Sequence, residues 1–273
     1  MTAKRQNNTQ PQTVTLTPEL SWIKAVYSFH SYAYRDPRSV FASGVGLPVV
    51  SPTTVLLGVA STLFRLGLAD EAKSFLQVAH QCQVIVDPPD GVIFFRAFHQ
   101  LRRYETGKYD KQNPRIGLTK INQGTREYGL LEGYMTVFLG VPKDNVESAK
   151  IALANLTHLG THDSLCSLVG NVEQCGEPEN VTYMPHEELA QRIRDHGIQA
   201  LGSSITIVTL SRFKAQEPIQ PVSEHWYMSG GEDTEFVSYV IPGQFKGTSR
   251  GKVYRKNLNR RSSLINGESQ TIF

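Results

Sequence analysis

The amino-acid sequence predicts an α+β fold with its elements in the order βαββαβ. Three observations carry that expectation. Residues 51–67, SPTTVLLGVASTLFRLG, place apolar side chains at helical spacing between a start and a stop signal. Residues 22–34 alternate apolar and polar side chains, as a half-buried strand does. Two runs rich in β-branched and aromatic residues, QVIVD and GVIFFRAF, flank Pro88-Pro89-Asp90-Gly91, a turn signal that predicts a hairpin.

Taken in order, residues 1–18 are polar and read as a disordered tail. The first strand sets Ile23, Ala25, Tyr27 and Phe29 on one face and Lys24, Ser28 and His30 on the other. A basic, glycine-containing loop carries Arg35, Arg38, Gly44 and Gly46 into the helix. Ser51 suits the N-cap, Pro52 the first turn and Gly67 the close. Val55, Val59 and Leu63, with Leu56 and Ala60, make the buried stripe. A second helical piece runs over 70–81, and the hairpin follows.

Residues 99–128 have little apolar periodicity and read as a long excursion, an extended hairpin. A strand returns at 133–141. The helix over 144–160 has a D-x-x-E capping signal at Asp144 and Glu147 and buries Val146, Ala149, Leu153 and Leu156. Residues 163–172 read as the last strand. This order is that of a ferredoxin-like domain, the topology RNA-recognition modules of the RRM type use. Beyond it, 185–197 predicts a helix and 203–213 and 234–243 predict strands. The division expected is a ferredoxin-like domain over 19–175, a β-rich extension over 176–245 and a basic flexible tail over 246–273.

Composition narrows the classes. The chain has 273 residues, 40% of them apolar, enough for a sizeable core. No apolar run nears the ~20 residues of a membrane helix, and no signal-peptide core opens the chain. Three cysteines fit a reducing compartment, so a cytoplasmic location is expected, with no membrane partner. The net charge is only +3, but it is unevenly placed. Residues 93–128 hold eight basic and three acidic side chains, a balance of +5, and residues 244–267 hold seven basic and no acidic ones. Two basic stretches in an otherwise acidic chain suit a polyanion or a solvated surface. The helix start at Ser51 adds unpaired backbone N–H groups, which suit a phosphate.

Two short motifs carry a family resemblance. One is the helix start Ser51-Pro52-Thr53-Thr54-Val55-Leu56-Leu57-Gly58; the other is Leu159-Gly160-Thr161-His162-Asp163-Ser164. With the loop before the first and the strand EYGLLEGYMTVFLGV, they resemble the fifth CRISPR-associated (Cas) protein family of the RAMP superfamily. Members of that family bind the 5′ handle of the crRNA in type I Cascade complexes. The resemblance spans about residues 20–245. The chain departs from the family pattern in its Ser-Pro pair and in a C-terminal region without a match.

The resemblance implies a ferredoxin-like domain with an inserted basic thumb hairpin, here at 99–128. It implies a non-catalytic subunit that caps the effector complex for RNA-guided DNA targeting. Its partners would be crRNA, the backbone RAMP subunit and the large subunit, with target DNA nearby and no cofactor. Carried over, Tyr34, Arg35, Arg38 and Ser43 would face the handle, Ser51, Thr53 and Thr54 would bind it at the helix start, and His162 would lie in the second motif. Arg102, Arg103, Lys111, Arg115, Lys120 and Arg126 would line the thumb. Guanidinium groups pair well with phosphate oxygens, and Tyr32, Tyr34, Tyr104 and Tyr109 have rings on which bases stack.

The residues also bear on other chemistries. One branch of the family cuts precursor RNA without a metal, using His, Lys and Tyr. Here Lys24 and His30 share a strand face and Tyr27 lies on the other, poor spacing for a shared site. His158, His162 and Cys166 recur every four residues, but Gly160 and Asp163 interrupt any helix that would align them for a metal. GTSRGKV, 247–253, is one residue short of a phosphate-loop spacing and ends in Val. A metal-independent endonuclease and a scaffold protein without nucleic acid stand as the alternative functions.

Overall fold

The computed structural model describes residues 19–34, 36, 45–102, 121–161, 163–179, 183–196, 204–214, 233–248 and 251–256, with backbone alone at 99–102, 121–125, 196 and 248. Its elements are β1 (Leu20–Phe29), α1 (Pro52–Arg65), α2 (Ala69–Val78), β2 (Gln83–Asp87), β3 (Gly91–Arg102), β4 (Ile121–Glu132), β5 (Met135–Pro142), α3 (Val146–Ala154), β6 (Cys166–Leu168) and β7 (Glu173–Cys175). There follow β8 (Met184–Pro185), α4 (His186–His196), β9 (Ile205–Phe213), β10 (Thr234–Pro242), β11 (Gln244–Thr248) and β12 (Gly251–Arg255). The fold is mixed α+β, and the pairings between strands are antiparallel.

The first sheet runs β2–β5–β1–β6, with β7 also on β1. Alternation along β1 buries Ile23, Ala25 and Tyr27 completely. The Tyr27 hydroxyl donates to the Leu153 carbonyl at 2.7 Å, which ties α3 to this face. Val55, Val59 and Leu63 of α1 join the same core, as their helical spacing predicts. A Leu of this kind is worth about 2–5 kcal/mol against Ala.

Several sequence expectations change. Residues 163–172 form two short strands rather than one. β6 pairs with Tyr27–Phe29 and β7 with Trp22–Lys24, and Gly170 between them has φ 78°. A positive φ interrupts an extended strand and suits glycine. The helix expected to end at Gly160 stops at Ala154, where the Asn155 side chain donates to Ile151 O at 2.9 Å. The Asp144–Glu147 cap does not form: Asn145 is the N-cap, and Glu147 pairs with Lys150 at 2.8 Å.

The Pro-Pro-Asp-Gly turn does not close a hairpin. β2 joins the first sheet, and β3 joins a separate one in the order β11–β12–β3–β4. Pro88 and Pro89 have no N–H for a ladder. The Asp90 carbonyl accepts from Lys256 N at 2.9 Å instead. The basic excursion is longer than expected, because β3 and β4 pair from Gly91↔Glu132 to Arg102↔Ile121.

The chain also keeps regular structure beyond Phe245. β11 and β12 form a hairpin, and β12 pairs with the edge of β3. Alternation explains it. Tyr254 is wholly buried and Phe245 packs on the core, while Lys246 is exposed. The helix over 186–196 and the strands at 205–213 and 234–242 match their expected positions within two residues, and β8–β10–β9 make the third sheet.

Candidate nucleic-acid interface

The start of α1 is a joint within the fold. Ser51 is wholly buried, and Tyr34 and Thr53 are 8% and 5% exposed. The Tyr34 hydroxyl donates to Ser51 Oγ at 2.6 Å and accepts from Ser51 N at 3.1 Å. It also lies 3.1 Å from Thr54 Oγ1. Ser51 Oγ accepts from Ser211 N on β9 at 3.0 Å, and Thr53 Oγ1 donates to Ser211 O at 3.2 Å. Burial pushes the Tyr34 phenol above its ordinary pKa, against the pull of its hydroxyl partners. Burial of Tyr34, Ser51 and Thr53 runs against the expectation that they face RNA, while Thr54, partly buried, lies in the same network. Their polar atoms connect the segment after β1 to α1 and β9. Tyr32, a stacking candidate in the sequence, is wholly buried as well.

The second motif has a structural account too. Ser164 Oγ accepts from Ala33 N at 2.9 Å, Thr161 Oγ1 donates to Ala33 O at 3.0 Å, and Ser31 Oγ donates to Asp163 O. Both motifs thus hold residues 31–34 from opposite ends.

The basic loop and the long hairpin come together at their bases. Gly129 N of β4 donates to Tyr32 O at 2.7 Å. Gly46 N donates to the Glu127 carboxylate, and Lys252 Nζ donates to Gly46 O at 2.7 Å. Asp36 N donates to Val45 O at 2.9 Å across the neck of the loop. The described ends of the 35–44 stretch therefore lie against β4 and β12. Arg126 pairs with Asp163, and Tyr128 donates to the same carboxylate at 3.2 Å. Arg126 keeps 43% of its side chain exposed. Arg102 ends β3, where the backbone alone is described. Arg35, Arg38, Ser43, Arg103, Lys111, Arg115, Lys120 and His162 lie outside the described residues.

Lys252, from the segment that resembled a phosphate loop, is held by the protein itself. Its ammonium sits 3.4 Å from Glu127 and over the rings of Phe94 and Phe245 at 4.7 and 4.9 Å. Burial lowers its pKa, and Glu127 works against that.

The residues weighed for catalysis do not meet. Tyr27 is buried beneath α3, Lys24 lies 3.8 Å from Glu173 on β7, and His30 bonds Ser167 on β6 at 3.0 Å. Among the described residues no three His, Cys, Asp or Glu side chains are grouped to hold a metal, and no helix is long and apolar enough to cross a membrane. A cleft of about 890 Å³ lies between the start of α1, residues 79–85 and the third sheet, and its two arginines are paired, Arg192 with Glu188 and Arg212 with Glu235, each at 2.8 Å.

Sequence reasoning missed the outer face of β3 and β4, where Ile93, Phe95 and Leu130 are exposed. The run GVIFFRAF is apolar at nearly every position, so no alternation marked which side was open. The signal was Tyr128 and Leu130 spaced by two in the partner strand.

No protein-family model matches this chain, and no curated protein matches it in sequence. A crystal structure of a CRISPR protein from Archaeoglobus fulgidus aligns with 87% of this chain and 92% of its own, at 12% identity and a TM-score of 0.35.

Proposed function

We propose that this chain is a CRISPR-associated RNA-binding subunit that grips the 5′ handle of a guide RNA in a Cascade-type complex, without cutting it. The observation that carries the reading is that the described ends of the basic loop lie at the base of the long hairpin: Tyr32 bonds Gly129, and Gly46, one residue past the Asp36–Val45 bond, bonds Glu127 and Lys252. Basic segments whose described ends share one place would bring their cations to a common polyanion, and phosphate contacts dominate such affinity. The order β6–β1–β5–β2, with helices in both crossovers, supports a ferredoxin-like RAMP domain in which β3 and β4 form the thumb. The domain division is then 19–175 with that hairpin inserted and a β-rich extension after it. The extension includes β11 and β12, which return to cover β3. Cytoplasmic crRNA and neighbouring Cascade subunits are the partners this reading requires.

The test is equilibrium binding of a fluorescent single-stranded guide RNA across a salt series. Affinity should fall linearly on a log–log plot, with a slope of about −0.7 per phosphate neutralised. Charge reversal at Arg102, Arg103 and Lys111 should flatten that slope by about 2. A salt-independent affinity, or an unchanged slope in the triple variant, would sink the thumb assignment. Absence of RNA binding in the wild type would leave the scaffold reading instead.

A further inference from the structure

The solvent face of the β11–β12–β3–β4 sheet is a stacking platform for unpaired bases, we infer, centred on Phe95 and Tyr128. The inference rests on the RNA-binding reading above and adds to it a surface and a mode of contact.

Register defines the face. Lys246, Val253, Ile93 and Leu130 stand in one cross-strand row. Phe95 and Tyr128 form the next, with ring centroids 6.0 Å apart and planes at 27°. Arg126 continues the line on β4 beyond Tyr128. The opposite face of the same sheet buries Val92, Phe94 and Tyr254. Ile93, Phe95 and Leu130 are 45%, 38% and 57% exposed.

The register of β12 against β3 runs to Lys252↔Phe94, and Gly251 is the next residue of β12. A Cβ on Gly251 would collide with the Phe94 carbonyl oxygen, so this position excludes a side chain. Gly251 brings no side chain to this part of the sheet, and Phe95 keeps 38% of its surface exposed. An open aromatic plane already stacked on a second ring accepts one more flat partner at little cost in side-chain ordering.

Charge selects the occupant. Residues 91–132 and 244–256, which form this sheet and its connections, hold thirteen basic and four acidic side chains, a net of +9. The whole chain is +3, so everything else amounts to −6. The aromatic pair thus belongs to the most basic part of the sequence, and Lys246 and Arg126 stand on its own face. A nucleic acid strand supplies both the negative backbone and the flat apolar ring that this pairing suits.

The experiment uses the full chain and a 20-nucleotide single-stranded RNA carrying 2-aminopurine, whose fluorescence is quenched on stacking. Anisotropy gives the affinity. Phe95→Ala and Phe95→Leu should each weaken binding roughly 5- to 100-fold and remove the quench. Phe95→Trp should keep both, and an unchanged thermal melt should show that the partly exposed site tolerates the change. Tight, salt-sensitive binding that Phe95→Ala and Phe95→Leu leave intact would overturn the platform while preserving the RNA-binding reading. Failure of the wild type to bind RNA would overturn both. Loss of a protein partner in Phe95→Ala, with RNA affinity untouched, would make the face a protein-docking surface and overturn the inference as well.

Discussion

Replacing Tyr34 with Phe separates a structural joint from an RNA contact. The substitution keeps the buried ring and deletes one oxygen. That oxygen donates to Ser51 Oγ at 2.6 Å, accepts from Ser51 N at 3.1 Å and lies 3.1 Å from Thr54 Oγ1. Ser51 is wholly buried, so no solvent replaces the lost acceptor for its N–H. Each lost bond is worth about 0.5–1.5 kcal/mol, and a stranded buried donor costs about 1–3 kcal/mol. Together they lower stability by about 2–3 kcal/mol, a sizeable part of the 5–15 kcal/mol typical of a folded domain.

Urea unfolding, followed by circular dichroism, measures this directly. The midpoint should drop and the slope should stay the same, because the surface exposed on unfolding is unchanged. Ser51→Ala should show a similar loss, and the double variant should lose less than the two combined, because the residues share one network. Tyr134→Phe, at a 55% exposed ring, is the control and should shift stability by less than about 0.5 kcal/mol. RNA affinity should be the same in Tyr34→Phe and wild type at a temperature where both are folded. A stability change under about 0.5 kcal/mol, combined with weaker RNA binding, would refute the argument and return Tyr34 to the handle.

Other outcomes follow from the same packing. Burial raises the phenol pKa of Tyr27, Tyr32, Tyr34, Tyr183, Tyr239 and Tyr254. Their folded-state values exceed the unfolded value near 10, so the stability they contribute is complete below pH 10 and is lost as pH rises above it. An absorbance titration should show late, cooperative ionisation of these phenols coincident with unfolding; independent ionisation in a folded chain would contradict it. Burial pushes the thiols of Cys82 and Cys166 up to about 12, whereas Cys175 is raised with a compensating pull from Lys24. A disulfide reagent at pH 8 should therefore label Cys175 first, and equal rates at all three would be evidence against the burial described. Lys252→Met should destabilise by about 1–3 kcal/mol, since it leaves Glu127, 11% exposed, with only the longer contact to Arg96 at 4.0 Å as a cation partner. Lys252→Met with Glu127→Gln should recover most of that loss in a thermal melt.

The local elements are legible in the order of neighbouring residues. Period-2 and period-3.6 patterns located β1, α1, α2, β5, β9 and β10, and their order announced the antiparallel α+β class. Charge counts marked the two basic stretches. Which strands pair is not legible there: β2 and β3 look like one hairpin in the chain, yet a Pro-Pro step and a distant Lys256 send them into different sheets. The fold likewise engages polar residues suited to phosphate: Ser51 and Thr53 bond Ser211 of β9, and Tyr34 bonds Ser51. The exposure of Phe95 was equally hidden, because it depends on how β3 sits in its sheet, where β12 comes from more than 150 positions away in the chain. Local preference is written in neighbouring residues. Strand partnership and hydroxyl satisfaction depend on groups far apart in sequence, which only the folded chain brings into contact.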